Sequence, residues 1–208
     1  MIKLYGHELS GNSYKVKLML SLLEIDYEWI EVDLLKGEHQ TAEFLELNPF
    51  GQVPVLVDND ITLADSQAIL VYLARRYGGD QWLPSEPEFL SRVVRWLSIT
   101  AGEVREGVGF ARLYYLFNAN YVNIERATQR AEFILTQLER HLSDNRQWLE
   151  CDCPTIADIA VFPYVALAED GKISLKPYTK VLSWIDRVQS LPGFIAMPGI
   201  EISKSARV

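Results

Sequence analysis

The sequence is short of the features that would commit it to several large classes of protein. It has two cysteines, Cys151 and Cys153, separated by one residue, so no disulfide framework can be written for it. Its three histidines, His7, His39 and His141, are too scattered for a local metal motif, and no metal is expected. No apolar run approaches the ~18 residues of a membrane-spanning helix. The opening segment Ile2-Lys3-Leu4-Tyr5 reads as a short strand and not as the apolar core of a signal peptide. Internal repeats and low-complexity segments are missing as well. So are clusters of Lys and Arg: the net charge is −8, and residues 1–80 hold 6 Lys/Arg against 13 Asp/Glu. That balance argues against nucleic acid as a partner, because phosphate binding needs clustered positive charge. It also means that an anionic ligand has to be held by local donors. The expectation is a cytoplasmic protein with no membrane or nucleic-acid partner.

What is present is concentrated between Gly37 and Ser66. The run NPFGQVP, Asn48 to Pro54, carries turn residues straight into an apolar extended run, Val53 to Val57. Proline cannot donate to a strand ladder, so Pro54 marks special local geometry. A cis Val53-Pro54 bond would turn the Val53 main chain outward toward an extended peptide ligand. The plain alternative is a trans proline entering an edge strand. A few residues on, Asp65-Ser66 precedes the helical pattern Ala68, Ile69, Val71, Tyr72, Leu73, which puts Ser66 at the expected N-cap. Free first-turn amides and the positive end of the helix dipole suit a carboxylate there. Asp65 beside them suits an ammonium, so together they suit the end of an α-amino acid.

With these parts in view, LLKGEHQTAEFLELNPFGQVPVL (residues 34–56) resembles the corresponding stretch of the phi and theta classes of the glutathione transferase superfamily, and Asp65-Ser66 resembles their Glu/Asp-Ser pair. The resemblance implies glutathione as co-substrate. Asp65 and Ser66 would hold its γ-glutamyl end, Val53 before Pro54 would pair with the cysteinyl main chain, and Gln52 with His39 or Gln40 would reach the glycyl carboxylate.

Periodicity divides the chain in two. Ile2 to Gly6 reads as a strand, Ser13 to Leu23 as a helix, Tyr27 to Asp33 as a strand and Thr41 to Leu47 as a short helix. A hairpin across Asn59-Asp60 follows, then a helix from Ser66 to Tyr77. This α/β order is thioredoxin-like, and it predicts a domain over residues 1–78. Gly78-Gly79, Pro84 and Pro87 predict a linker over 79–87. Residues 88–208 then read as an all-α bundle. Phe89 to Asn118 carries an apolar stripe of Leu90, Val93, Val94 and Leu97, and Arg126 to Leu142 carries one of Ala127, Ala131, Ile134, Leu135 and Leu138. Thr155 and Asp158 form a capping box in its Asp form.

The chemistry is expected where the first strand ends, at Ser10, Asn12 and Ser13. Hydroxyl and amide donors at a helix N-terminus stabilise a thiolate, which is the reactive form of a thiol. By the resemblance, Ser10 aligns with the catalytic serine of theta-type transferases, and Asn12 with a functional asparagine of bacterial members that reduce disulfides. Tyr5 falls one position before the catalytic tyrosine of the tyrosine classes and reads as core or wall. The electrophile pocket is expected between the two parts, walled by Phe110, Leu113, Tyr114 and Phe117, with Arg112 and Tyr115 on adjacent faces. The resemblance implies a homodimer, the acidic first half of one subunit lying against Arg92 and Arg95 of the other. A disulfide or peroxide reductase and a non-catalytic binding module remain open. The tail after Pro198 reads as a lid or a frayed end.

Overall fold

Alternation in Ile2–Gly6 buries Ile2, Leu4 and Gly6 and exposes Lys3, and this segment is the central strand β1. The computed structural model describes residues 1–202 of the chain. After β1 come α1 (Gly11–Leu22), β2 (Tyr27–Glu31), α2 (Ala42–Leu47), β3 (Val55–Asp58), β4 (Ile61–Ala64) and α3 (Ser66–Leu73). The sheet order is β2-β1-β3-β4. β1 runs parallel to β2 across the α1 crossover, and the β1–β3 and β3–β4 pairs are antiparallel. This is the expected thioredoxin-like arrangement. β2 stops at Glu31, two residues earlier than the alternation predicted.

The second half is helical: α4 (Pro87–Ile99), α5 (Phe110–Phe117), α6 (Ile124–His141), α7 (Ile156–Ala166) and α8 (Thr179–Gln189). The single long helix expected over Phe89 to Asn118 runs from α4 to α5, but its middle, Thr100–Gly109, is wound as a π-helix. Such widening is common where a helix meets a functional site. On α4, Val93 and Leu97 are buried as expected, whereas Val94 is exposed, because the buried face there is narrower than the apolar stripe. The five apolar positions expected on α6 are all buried.

One core joins the two halves. α1 is covered on nearly every side, with Val16, Leu18, Met19 and Leu20 inaccessible, and it packs on α3 and on α7. Each such side chain contributes roughly 1.5–3 kcal/mol by burial. The chain near its end also clasps α1: Tyr14 Oη donates to Ile195 O at 2.6 Å and Ser21 Oγ to Gly193 O at 2.6 Å. Val32, Phe44 and Val55 make a second, smaller cluster under Tyr5, whose ring is therefore wall material for that cluster. No helix among the described residues is long and apolar enough to cross a membrane. Residues 203–208, most of the tail for which a lid was considered, lie outside the described residues.

Candidate active site

Ser10 caps α1: its backbone is extended, and its Oγ accepts the amide of Ser13 at 3.2 Å. The helix thus begins at Gly11, two residues before the apolar periodicity indicated. Gly11 packs closely on Tyr164, since a Cβ there would stand 3.1 Å from its Cε1. A hydroxyl that accepts one amide still has its own proton to give, so Ser10 remains a donor toward the space in front of the helix. Ser13, one of the three expected catalytic positions, is fully buried, and its Oγ accepts the His7 amide at 3.3 Å. It braces the loop after β1 and is not part of the cleft wall.

Asp65, rather than Ser66, caps α3. Its Oδ1 accepts the amides of Gln67 at 2.9 Å and Ala68 at 3.1 Å, with φ at +72°, a region that non-glycine residues rarely occupy. An aspartate satisfies two amides at once, which is why it displaces the serine from the capping position. Ser66 becomes the first helical residue; its amide has no intrahelical acceptor, and its buried Oγ donates to Asn12 Oδ1 at 3.3 Å. That hydrogen bond brings the N-terminal ends of α1 and α3 together.

The loop before β3 completes one wall. Buried Asn48 holds it, Nδ2 donating to Gln52 O at 2.8 Å and Oδ1 accepting the Phe50 amide at 3.1 Å. Gly51 turns at φ +57°, and the Val53-Pro54 bond is cis. Ser10, Asn12, His39, Gln52, Val53, Asp65 and Ser66 all line a single cleft of about 390 Å³. Gln40 does not line it but packs against Gly51, and Pro54 lies buried behind Val53. His39 Nδ1 is buried without a partner.

Of the expected electrophile wall, Leu113 lines the cleft. Leu113 and Phe117 line an adjoining, mostly apolar recess of about 210 Å³. Phe110 and Tyr114 line neither and pack against the core. Arg112 is buried, paired to Asp170 at 2.9 Å, and it donates from Nη1 to Leu9 O at 2.8 Å, so it fixes the loop that carries Ser10.

Of the cleft side chains that escaped the sequence reading, three are titratable. Lys15, on α1, is 1 % exposed; its Nζ donates to Asn12 Oδ1 at 2.9 Å and lies 5.0 Å from the centre of the Tyr164 ring. Burial pushes its ammonium down to about 7, Asp65 raising it and Arg105 lowering it further. Tyr164, from α7, sits over Gly11 and Gly109, and burial pushes its hydroxyl up. Arg105 reaches the cleft from the π-helical segment. The spacing of Lys15 three residues after Asn12 is the one local signal that could have found it.

A larger cavity, about 520 Å³, lies between α4 and α6 against Trp96, Ile99, Phe133 and His141. No helix N-terminus opens into it, so its size does not make it the better site. Among the described residues no group of His, Cys, Asp and Glu is placed to hold a metal. Cys151 and Cys153 are both free, and burial pushes the Cys151 thiol up to about 11.

Residues 1–75 match the family model described as "Glutathione S-transferase, N-terminal domain", and residues 113–196 match "Glutathione S-transferase, C-terminal domain". A solved glutathione S-transferase from Pseudomonas fluorescens superposes with a TM-score of 0.89 at 37% identity, over 95% of this chain and 98% of that one. Glutathione S-transferase 3 of Zea mays is 30% identical over 93% of this chain and 91% of its own length. The disulfide-bond oxidoreductase YfcG of Escherichia coli is 31% identical over 92% of each.

Proposed function

The chain belongs to the glutathione S-transferase superfamily, and from that premise we propose that its cleft binds glutathione and presents the sulfur, as thiolate, to a small hydrophobic electrophile. The observation that carries this reading is the junction of two helix N-termini through Ser66 Oγ and Asn12 Oδ1, with Ser10 on one side and Asp65 on the other. The γ-glutamyl carboxylate takes the Ser66 amide and the positive end of α3, and its ammonium takes Asp65. The cysteinyl main chain pairs with Val53, and the glycyl carboxylate takes Gln52 with His39. The sulfur then falls before α1, where the Ser10 hydroxyl and the Asn12 amide donate to it and favour its ionised form. No protein base is required, since the thiol proton leaves to solvent and the thiolate attacks. The electrophile lies in the apolar recess by Leu113 and Phe117; the thiolate forms a C–S bond to its alkyl or aryl carbon as the bond to the leaving group breaks, that group departing to solvent with the electron pair, and this transfer serves detoxification.

The test is an ultraviolet titration of the thiolate of bound glutathione in the wild type and in Ser10→Ala. Ionisation well below that of free glutathione, moved back toward it in the variant, supports the reading. An unchanged titration in Ser10→Ala moves activation to Asn12 and the main-chain amides. Asn12, with its amide turned into the cleft, favours a second reading, a glutathione-dependent disulfide reductase, and faster turnover of a mixed disulfide than of an aryl halide would select it. Glutathione affinity without turnover of either would leave a binding module.

On the same premise we propose a cytoplasmic homodimer. Arg92 and Arg95, expected to meet the acidic half of the partner, are exposed on α4 and paired within the chain to Glu88 and Glu150. Sedimentation at low and high salt tests it, dissociation with rising salt being the expected outcome.

A further inference from the structure

Asn12 can serve a thiolate only if its amide nitrogen, not its oxygen, faces the sulfur. A free carboxamide beside a cleft has no reason to prefer that orientation, because water satisfies either end. Here the oxygen is claimed twice: Lys15 Nζ approaches it at 2.9 Å and Ser66 Oγ at 3.3 Å. In its protonated form Lys15 has donors and no acceptor, so the Asn12 atom that then meets it is the oxygen. Both lone pairs of Oδ1 are then engaged, and Nδ2, which has no protein partner among the described residues, is left toward the cleft that Asn12 lines.

We infer that Lys15 is a positioning residue of the thiolate site: it acts through Asn12, locking that amide with its N–H groups aimed at the sulfur. The inference rests on the glutathione reading above. Its supports come from separate elements. Lys15 extends from α1 under the Tyr164 ring of α7, whose face favours a cation. Asp65, at the start of α3, draws the proton onto Lys15, and Arg105, from the π-helical segment, opposes it. With burial these place the ammonium at about 7, so an arriving thiolate is met by a group whose protonated form its own charge favours. Lysine in a wholly buried position is costly unless partnered, and a methionine would fill the space more cheaply.

The experiment is a double-mutant cycle read by the ultraviolet titration of bound glutathione. Lys15→Met keeps the volume and removes the donor; Lys15→Gln keeps a neutral N–H donor. The thiol of bound glutathione is expected to titrate about one pH unit higher in Lys15→Met, equivalent to a tenfold loss of differential stabilisation. In Lys15→Gln it should return most of the way to wild type. Glutathione affinity at low pH, where the thiol is neutral in every variant, should change less than threefold. In an Asn12→Ala background the same Lys15→Met change should shift nothing further, as coupled residues require. A shift of equal size in both backgrounds would overturn the inference, because Lys15 would then act on the sulfur directly by its field. An unshifted Lys15→Met would overturn it as well. If wild-type bound glutathione titrates like free glutathione, the thiolate reading itself fails, an outcome distinct from either of these. Circular dichroism of each variant verifies the fold, and Lys15→Gln keeps the inference falsifiable should Lys15→Met fail to fold.

Discussion

Two helix N-termini in this protein are assembled from similar parts and finished differently. At α7 everything is closed. Thr155 Oγ1 accepts the Ala157 amide at 3.2 Å, and Asp158 accepts the amides of Thr155 at 2.9 Å and Leu149 at 3.0 Å and Nε1 of Trp184 at 2.9 Å, all beyond reach of solvent. At α1 the cap is partial: Ser10 accepts one amide, its hydroxyl proton and the Asn12 amide are left over, and a cleft lies in front. Satisfied donors hold a fold together; donors held in place and unsatisfied are what a ligand can use. The carboxylate of Asp158, though buried enough to be pushed above its usual range, serves the helical half, whereas Ser10 faces the cleft.

The strongest way to break the comparison is at the closed end. Asp158→Ala leaves three buried N–H donors without an acceptor and should cost about 3–5 kcal/mol of stability by denaturant unfolding. Turnover per folded molecule should be unchanged. Asp158→Asn, which keeps one oxygen, should cost less.

Next in size is the buried cation at the open end. The pKa of Lys15 is about 7 in the fold and ordinary, near 10.5, in the unfolded chain. Between those values the unfolded chain holds more protons, so stability rises with pH across that window, and the penalty is fully present below pH 7. Relative to Lys15→Met, the wild type should therefore gain roughly 2–4 kcal/mol from pH 7 to pH 10. Parallel unfolding curves for the two proteins across this range would mean that Lys15 keeps its ordinary pKa in the fold and stays protonated there.

Ser10→Ala should reverse the pattern seen at α7. Loss of the cap costs about 1 kcal/mol of stability, whereas kcat for the conjugation should fall about 100-fold. Equal losses in both would make Ser10 a cap like Thr155. The smallest expected effect sharpens the comparison at α3. Asp65→Asn retains the oxygen that takes the Gln67 and Ala68 amides, so thermal unfolding should barely move. The ammonium loses its counter-charge, and KM for glutathione should rise about tenfold with little change in kcat.

Much of this was legible in the residues. The NPFGQVP turn, the hairpin at Asn59-Asp60 and the Thr155/Asp158 box are local devices, in which side chain and backbone partners lie within a few residues of each other, and each formed as expected. The apolar period of α6 was equally plain because five of its positions meet the same core. Less legible were choices between neighbours. Ser66 and Asp65 are both capping residues, and only the backbone's turn at Asp65 decides which one caps. Phe110, Leu113, Tyr114 and Phe117 are all apolar at helical spacing, and only the folded structure singles out Leu113 and Phe117 as the two that line the recess.

By itself, then, the sequence determined the element order and the family to which the chain belongs, because hydrogen bonds between near neighbours and a period of 3.6 or 2 are written along the chain. Tertiary structure decided the rest. Lys15 carries no mark of burial in the sequence; it is buried because α3 and α7 close over α1 from positions about 50 and 150 residues away. Tyr164 walls the cleft, its ring packed against Gly11 and Gly109 from distant parts of the chain. Burial, and the protonation that follows from it, depends on what distant segments bring to a residue, and no local pattern carries that information.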